Sequence, residues 1–275
     1  MFTDAMKDCQ LGRVDVIDVK LHTGITPWYT AVTFLPGDRV MIADYNNKQC
    51  ILLSSSYHFT TSHTLTCKPW NICVLDDLEV AVSLYNQSKI QILSVSVIGD
   101  VIRPVRTLKV TYNFTGIAAA GNGDMVVSGH CVNNKGQWSL MNMRGDVKYS
   151  HQYDCLYNDY NEYIALNNMK TRVYVVVNSR HSLLSFDMDG RNQFTYNPDN
   201  LRYPCGVAVD KYDNTYVLGF LSNNIHWLSP NGTVIQVITS GVPQYSRAIC
   251  IYQSKDKLII TNNSNTTKLH IYQLK

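Results

Sequence analysis

The chain has 275 residues, 45% apolar, 16% charged and 11% aromatic, with a formal net charge of +3. That length and apolar share supply a full core, which excludes intrinsic disorder, and +3 is too small a charge to imply a nucleic-acid partner by itself. No apolar run approaches the roughly 20 residues of a bilayer span, so no membrane partner is expected.

Residues 1–13 open as Met1-Phe2-Thr3-Asp4-Ala5-Met6-Lys7 and lack the basic start and apolar stretch of a secretory signal. They read as a leader or linker. Val14-Asp15-Val16-Ile17-Asp18-Val19 is then an orphan strand, with no hairpin partner beside it. From there on the sequence repeats. A small or polar residue followed by Val or Ile recurs as Ala31-Val32, Asn71-Ile72, Gly116-Ile117, Tyr163-Ile164, Gly206-Val207 and Ala248-Ile249, in steps of 40, 45, 47, 43 and 42 residues.

Each unit runs the same course. A short apolar strand meets a polar turn such as Leu35-Pro36-Gly37-Asp38, and a second strand such as Val173-Tyr174-Val175-Val176-Val177 follows. An Asn- or Ser-rich turn such as Ser222-Asn223-Asn224 leads to a third strand. Gly99, Gly145, Gly190 and Gly232 then mark a turn before the fourth, since glycine reaches positive φ without steric penalty. No stretch keeps a 3.6-residue period, so no long helix is expected. Four short antiparallel strands every 40 to 47 residues predict an all-β, six-bladed β-propeller over residues 14–275. The second strands are continuous apolar runs, as strands covered on both faces must be. The last unit stops after its third strand, Leu269-His270-Ile271-Tyr272. The orphan strand at Val14–Val19 is predicted to supply the missing fourth and close the ring.

Eight cysteines (Cys9, Cys50, Cys67, Cys73, Cys131, Cys155, Cys205 and Cys250) show no Cys-x-x-Cys spacing, so no structural zinc site is expected. A protein of this size needs no disulfide staples, and the cysteines read as free, packed thiols in a reduced, cytoplasmic setting. Five Asn-x-Ser/Thr triplets, beginning at Asn86, Asn113, Asn231, Asn262 and Asn265, follow from a composition rich in these residues.

Four segments carry a family resemblance. Pro204-Cys205-Gly206-Val207-Ala208-Val209-Asp210 resembles the opening of an NHL repeat, and Phe186-Asp187-Met188-Asp189-Gly190 and Leu228-Ser229-Pro230-Asn231-Gly232 resemble its closing turn. Lys68-Pro69-Trp70-Asn71-Ile72-Cys73-Val74-Leu75 is similar to the divergent blades of invertebrate tripartite-motif proteins. The resemblance implies the substrate-recognition module of a ubiquitin-ligase-like protein. The Cys/His ladder of RING and B-box segments and the coiled coil of that family have no counterpart in this sequence.

Propellers also carry enzymes with a metal at the central channel. The residues just before the six anchors are Thr30, Trp70, Thr115, Glu162, Cys205 and Arg247, and only Glu162 is a good hard-metal ligand. No Gly-x-Ser-x-Gly and no phosphate-binding Gly loop occurs. The protein is therefore expected not to be an enzyme and to need no metal or cofactor.

In a propeller, the loops leading into the inner strands share one face with the loops joining strands two and three. The lead-in loops supply Trp28, Tyr29, Trp70, Glu162, Arg202, Tyr203 and Arg247 as candidate partner-binding residues. The second-to-third-strand loops supply Tyr45, Lys48, Tyr85, Lys89, Arg180 and Phe220. Trp, Tyr and Arg are the usual anchors of protein interfaces, and basic residues outnumber acidic ones here. The expected partner is an acidic protein or peptide. Single-stranded RNA, stacked on aromatics and held by Lys and Arg, is the alternative.

Overall fold

The computed structural model describes residues 12–19, 25–156, 163–263 and 267–274, with the side chains of 13, 14 and 130–132 set aside. Residues 1–11 of the expected leader, and Glu162, lie outside the described residues. Strand β1 (Gly12–Asp18) comes first. The first blade is β2 (Tyr29–Leu35), β3 (Arg39–Asp44), β4 (Gln49–Leu53) and β5 (Phe59–Thr64). The second is β6 (Pro69–Val74), β7 (Glu79–Leu84), β8 (Lys89–Val95) and β9 (Ile102–Lys109). The third is β10 (Phe114–Gly121), β11 (Asp124–Val132), β12 (Lys135–Met141) and β13 (Val147–Asp154). The fourth is β14 (Tyr163–Leu166), β15 (Arg172–Val177), β16 (Ser182–Asp187) and β17 (Asn192–Tyr196). The fifth is β18 (Pro204–Val209), β19 (Thr215–Gly219), β20 (Asn224–Leu228) and β21 (Val234–Ile238). The sixth is β22 (Ser246–Tyr252), β23 (Lys257–Asn262) and β24 (Lys268–Gln273), with β1 as its outer strand.

The molecule is thus a six-bladed β-propeller closed by its N-terminal strand. Gly12 faces Gln273 and Asp18 faces Lys268 across an antiparallel ladder. The closure buries an edge that would otherwise offer unpaired N–H and C=O groups. The inner strands β2, β6, β10, β14, β18 and β22 pack side by side around the axis.

Side-chain alternation explains the apolar runs. On β3, Val40 and Ile42 pack toward the sixth blade with Ile259, Leu269 and Ile271, while Met41 and Ala43 pack toward the second with Ile72, Val80 and Val82. Both faces of a middle strand are core, so both are mainly apolar, and polar residues there, such as Ser83 and Thr261, are buried and hydrogen-bonded. The outer strands have one neighbour fewer, and β5 and β9 are largely exposed.

Local chemistry fixes the turns. Asp210 Oδ1 accepts the N–H groups of Tyr212 and Asn214, and Asn167 Oδ1 accepts those of Thr171 and Arg172. Gly99, Gly145, Gly190 and Gly232 all have positive φ, from 79° to 90°. At Gly190 a Cβ would also lie 1.9 Å from His151 Nδ1, so that position excludes a side chain twice over.

One expectation about the cysteines fails. Cys155 is disulfide-bonded, while Cys50, Cys67, Cys73, Cys205 and Cys250 are free. Pairing depends on distance in the fold, which spacing along the sequence does not report. A reduced compartment was expected because all eight read as free, and that ground is gone. Among the described residues no helix is long and apolar enough to cross a membrane.

Candidate functional site

Five inner strands carry a register shift at their first residues, between Tyr29 and Ala31, Pro69 and Asn71, Phe114 and Gly116, Pro204 and Gly206, and Ser246 and Ile249. A bulge leaves one residue out of the ladder and re-aims its side chain. Thr30, Trp70, Thr115 and Cys205 occupy these shifts, and Arg247 and Ala248 share the last.

The bulges also stitch the blades together. Thr30 Oγ1 donates to Pro69 O at 3.3 Å, Ser83 Oγ to Thr115 O at 2.8 Å, Asn178 Nδ2 to Pro204 O at 2.6 Å, and Thr261 Oγ1 to Tyr29 O at 3.0 Å. The two loop sets are tied as well. The N–H of Tyr45 donates to Trp28 O at 2.9 Å, that of Tyr85 to Lys68 O at 2.8 Å, and that of Phe220 to Tyr203 O at 3.2 Å. The shared face assumed from the sequence is therefore real in these blades.

On that face the aromatics join. Trp28 lies 4.7 Å from Tyr45 and 5.8 Å from Trp70, and Tyr85 lies 4.8 Å from Trp70 and 5.4 Å from Tyr45, measured between ring centroids. Across the mouth, Phe220 lies 5.5 Å from Tyr245 and 6.4 Å from Tyr203, and Tyr203 continues to His181 at 6.3 Å. Arg247 joins the two groups. Its guanidinium carbon stands 4.8 Å from the Trp70 ring, 5.2 Å from Trp28 and 5.9 Å from Phe220. The Lys68 ammonium sits 4.4 Å from the Tyr45 ring.

Arg247 is only 4% exposed and has no ion pair among the described residues, and its Nε and Nη2 meet no acceptor. Burial acts against its charge, yet Tyr163 and Cys205 beside it hold its pKa above the ordinary value. Burial pushes the Tyr163 phenol up to about 12 and the Cys205 thiol up to about 12, so both are neutral at pH 7. Among the described residues Asp44 makes no ion pair with Arg247 either. Its carboxylate accepts from Trp28 N, Asn47 N, Asn47 Nδ2 and Gln49 Nε2.

Several predicted residues fall elsewhere. Tyr29 is buried between the first and sixth blades, where its hydroxyl donates to Val19 O at 2.9 Å. Burial, then Asp44 and Asp18, raise its pKa. Arg180 is exposed and lines a groove with Asp154 and Asn197, on the flank between the third and fourth blades. Lys48 lines a shallow pocket of about 390 Å³ with Cys67, Lys68 and Tyr85. Arg202 is exposed in its expected loop, while Lys89 is half-buried as the first residue of β8, paired with Leu84. Glu162 lies outside the described residues.

Tyr163 was missed as a site residue. Its hydroxyl donates to Thr30 O at 2.9 Å, joining the fourth blade to the first across the axis. The signal was present: five anchors are Ala, Asn or Gly, and the sixth is tyrosine. Beneath it the channel is a cavity of about 270 Å³ lined mainly by Ala, Val and Ile, with Lys170 on its wall. Among the described residues no three His, Cys, Asp or Glu side chains cluster to hold a metal.

No protein-family model matches the sequence, and no curated protein matches it. Solved structures do. A streptogramin B lyase is 16% identical over 95% of this chain and 87% of its own, with a TM-score of 0.67. Virginiamycin B lyase from Staphylococcus aureus is 14% identical over 95% and 88%, with a TM-score of 0.65. A luciferin-regenerating enzyme is 17% identical over 95% and 94%, with a TM-score of 0.67. These likenesses establish the propeller fold and give no support to the tripartite-motif resemblance. They also overturn the expectation that the protein is not an enzyme. That expectation treated a missing catalytic motif as a missing activity, yet lyases share this scaffold over most of its length. A propeller assembles side chains from six separate repeats at its mouth, so its chemistry leaves no local motif to find.

Proposed function

We propose that this protein is a recognition module that holds a protein or peptide partner on the aromatic and basic face around the channel mouth. The observation that carries the reading is the run of rings from Tyr85 to His181, joined by a buried arginine. Trp28, Tyr45, Tyr85, Tyr203 and Phe220 are half-buried, so each is packed on one side and open to a partner on the other. Rigid rings lose little entropy when a ligand covers them, and Trp, Tyr and Arg dominate interface energetics. Among the described residues Lys48, Lys68, Lys89 and Arg202 are in no ion pair, which favours an acidic partner. The sequence resemblance extends this reading to substrate recognition in a ubiquitin-ligase-like protein.

Selection of a displayed random-peptide library on the purified protein tests it. Peptides that bind the wild type and lose at least about tenfold in affinity against Tyr85→Ser/Phe220→Ser support the reading. Peptides that bind both proteins equally refute the face. Salt-sensitive binding of oligouridine that the same double variant abolishes, with no peptide selected, replaces the protein partner with single-stranded RNA.

A further inference from the structure

The channel mouth contains donors without acceptors. Arg247 Nε and Nη2, Trp28 Nε1 and Trp70 Nε1 are all buried and all unpaired. They belong to one cluster, because the guanidinium carbon is 5.2 Å from the Trp28 ring and 4.8 Å from the Trp70 ring. Buried polar groups in proteins are nearly always hydrogen-bonded, and buried charges are nearly always paired. Two orphaned N–H groups of a cation with no ion pair among the described residues, and two orphaned indole N–H groups beside it, describe a place built for an acceptor that carries negative charge.

The neighbours do not provide it. Tyr163 and Cys205, beside the guanidinium, are neutral at pH 7, and among the described residues no carboxylate forms an ion pair with Arg247, the Asp44 carboxylate being held by Trp28, Asn47 and Gln49 instead. The rings that flank Arg247 on the outer side, Trp28 and Phe220, are half-buried, so they touch the guanidinium inward and solvent outward. A ligand reaches the cation by passing between or displacing them.

We propose that this mouth seats a single carboxylate of the bound partner, with Arg247 as its cation and the Trp28 and Trp70 indole N–H groups as flanking donors. The inference rests on the recognition reading above and names the group recognised. Two features select a carboxylate over a phosphate. One guanidinium carries one positive charge, which a carboxylate neutralises, whereas a phosphate dianion leaves excess charge in a buried place. The planar fork of a guanidinium also matches the two oxygens of a carboxylate, and aromatic walls suit a flat group. The carboxylate belongs either to an Asp or Glu residue or to the C-terminus of a peptide.

The test uses the 275-residue chain labelled with ¹⁵N-tryptophan, whose four indole N–H signals are assigned with Trp28→Phe and Trp70→Phe. Three probes are titrated at constant ionic strength: N-acetylglutamate amide, N-acetylglutamine with a free C-terminus, and N-acetylglutamine amide, which has no carboxylate. The expected result is a saturable shift of the Trp28 and Trp70 signals with one or both carboxylates. The signals of Trp138 and Trp227 stay in place, and the amide has no effect. Which carboxylate binds more tightly tells an acidic residue from a terminus. In Arg247→Met the affinity falls about ten- to a hundredfold.

Equal shifts with the uncharged amide overturn the proposal, as does an unchanged affinity in Arg247→Met. So does a response to inorganic phosphate alone. Binding that appears only in Glu162→Gln also overturns it, because the protein's own carboxylate would then already fill the seat. The peptides selected on the wild type separate this inference from the reading beneath it. If they bind Arg247→Met as well as wild type but lose Tyr85→Ser/Phe220→Ser, the carboxylate seat falls and the recognition face stands. If they lose neither, both fall.

Discussion

Arg247→Met keeps most of the side chain's length and removes its charge, and its effect on stability is set by whether the cation is truly unpaired. Two N–H groups of a buried cation without acceptors cost together about 2–6 kcal/mol. Against that, rings at 4.8, 5.2 and 5.9 Å return about 0.5–1 kcal/mol each. The two sides cancel to within about 2 kcal/mol, and methionine refills the space with apolar contacts. Urea unfolding of the two proteins, compared at equal m-value, is therefore expected to differ by less than about 1–2 kcal/mol. A buried arginine with a carboxylate partner behaves otherwise: removing one member of such a pair costs about 3–5 kcal/mol, since the other is left charged and buried. A loss of that size in Arg247→Met would refute the reasoning and show that the protein already supplies the counter-ion. Near-neutral stability with weakened binding is the mark of a residue kept for a ligand.

Two other predictions concern the frame of the site. Gly37 and Gly190 both have positive φ, 77° and 81°, but a Cβ at Gly37 meets nothing within 4 Å while one at Gly190 lands on the His151 ring. Gly37→Ala is expected to lose about 1–2 kcal/mol in urea unfolding from the backbone alone. Gly190→Ala is expected to lose about 1–3 kcal/mol more, most of it recovered in Gly190→Ala/His151→Ala; equal losses at the two glycines would contradict the account. His226, buried with Nδ1 2.6 Å from the Tyr196 hydroxyl, has its pKa lowered by burial. The unfolded state then binds a proton at this ring more readily than the folded one. Stability is full above the ordinary histidine pKa near about 6.5 and falls as pH drops through it toward the folded value. Thermal melts between about pH 8 and pH 5 should show this slope, and His226→Phe should flatten it.

The architecture was legible because it is local and repeated. Alternation of apolar residues, Asn- and Gly-bearing turns and the period of 40 to 47 residues each follow from one blade's own geometry. The closing strand was legible too, since a unit short of one strand and a strand short of one unit must find each other. The site was legible in part. Five of the six residues before the anchors sit at the bulges, and Trp70 and Arg247 were marked by position and by chemistry. Tyr163 was passed over as another anchor, although its size among small residues set it apart. Tyr29 and Arg180 share loop addresses with Trp28 and Phe220, yet one points into the core and the other lies on the flank.

Burial and pairing were decided only in three dimensions. Whether Arg247 has a counter-ion depends on residues 84 positions away at Tyr163 and 219 away at Trp28, and on which way each side chain turns. The sequence determines by itself that six sheets form and in what order, because five are each written within one continuous span and the sixth joins the strands left over at the two ends. It does not determine what gathers at the axis, because every blade contributes only a few side chains there, and their charge balance exists only once the ring has closed.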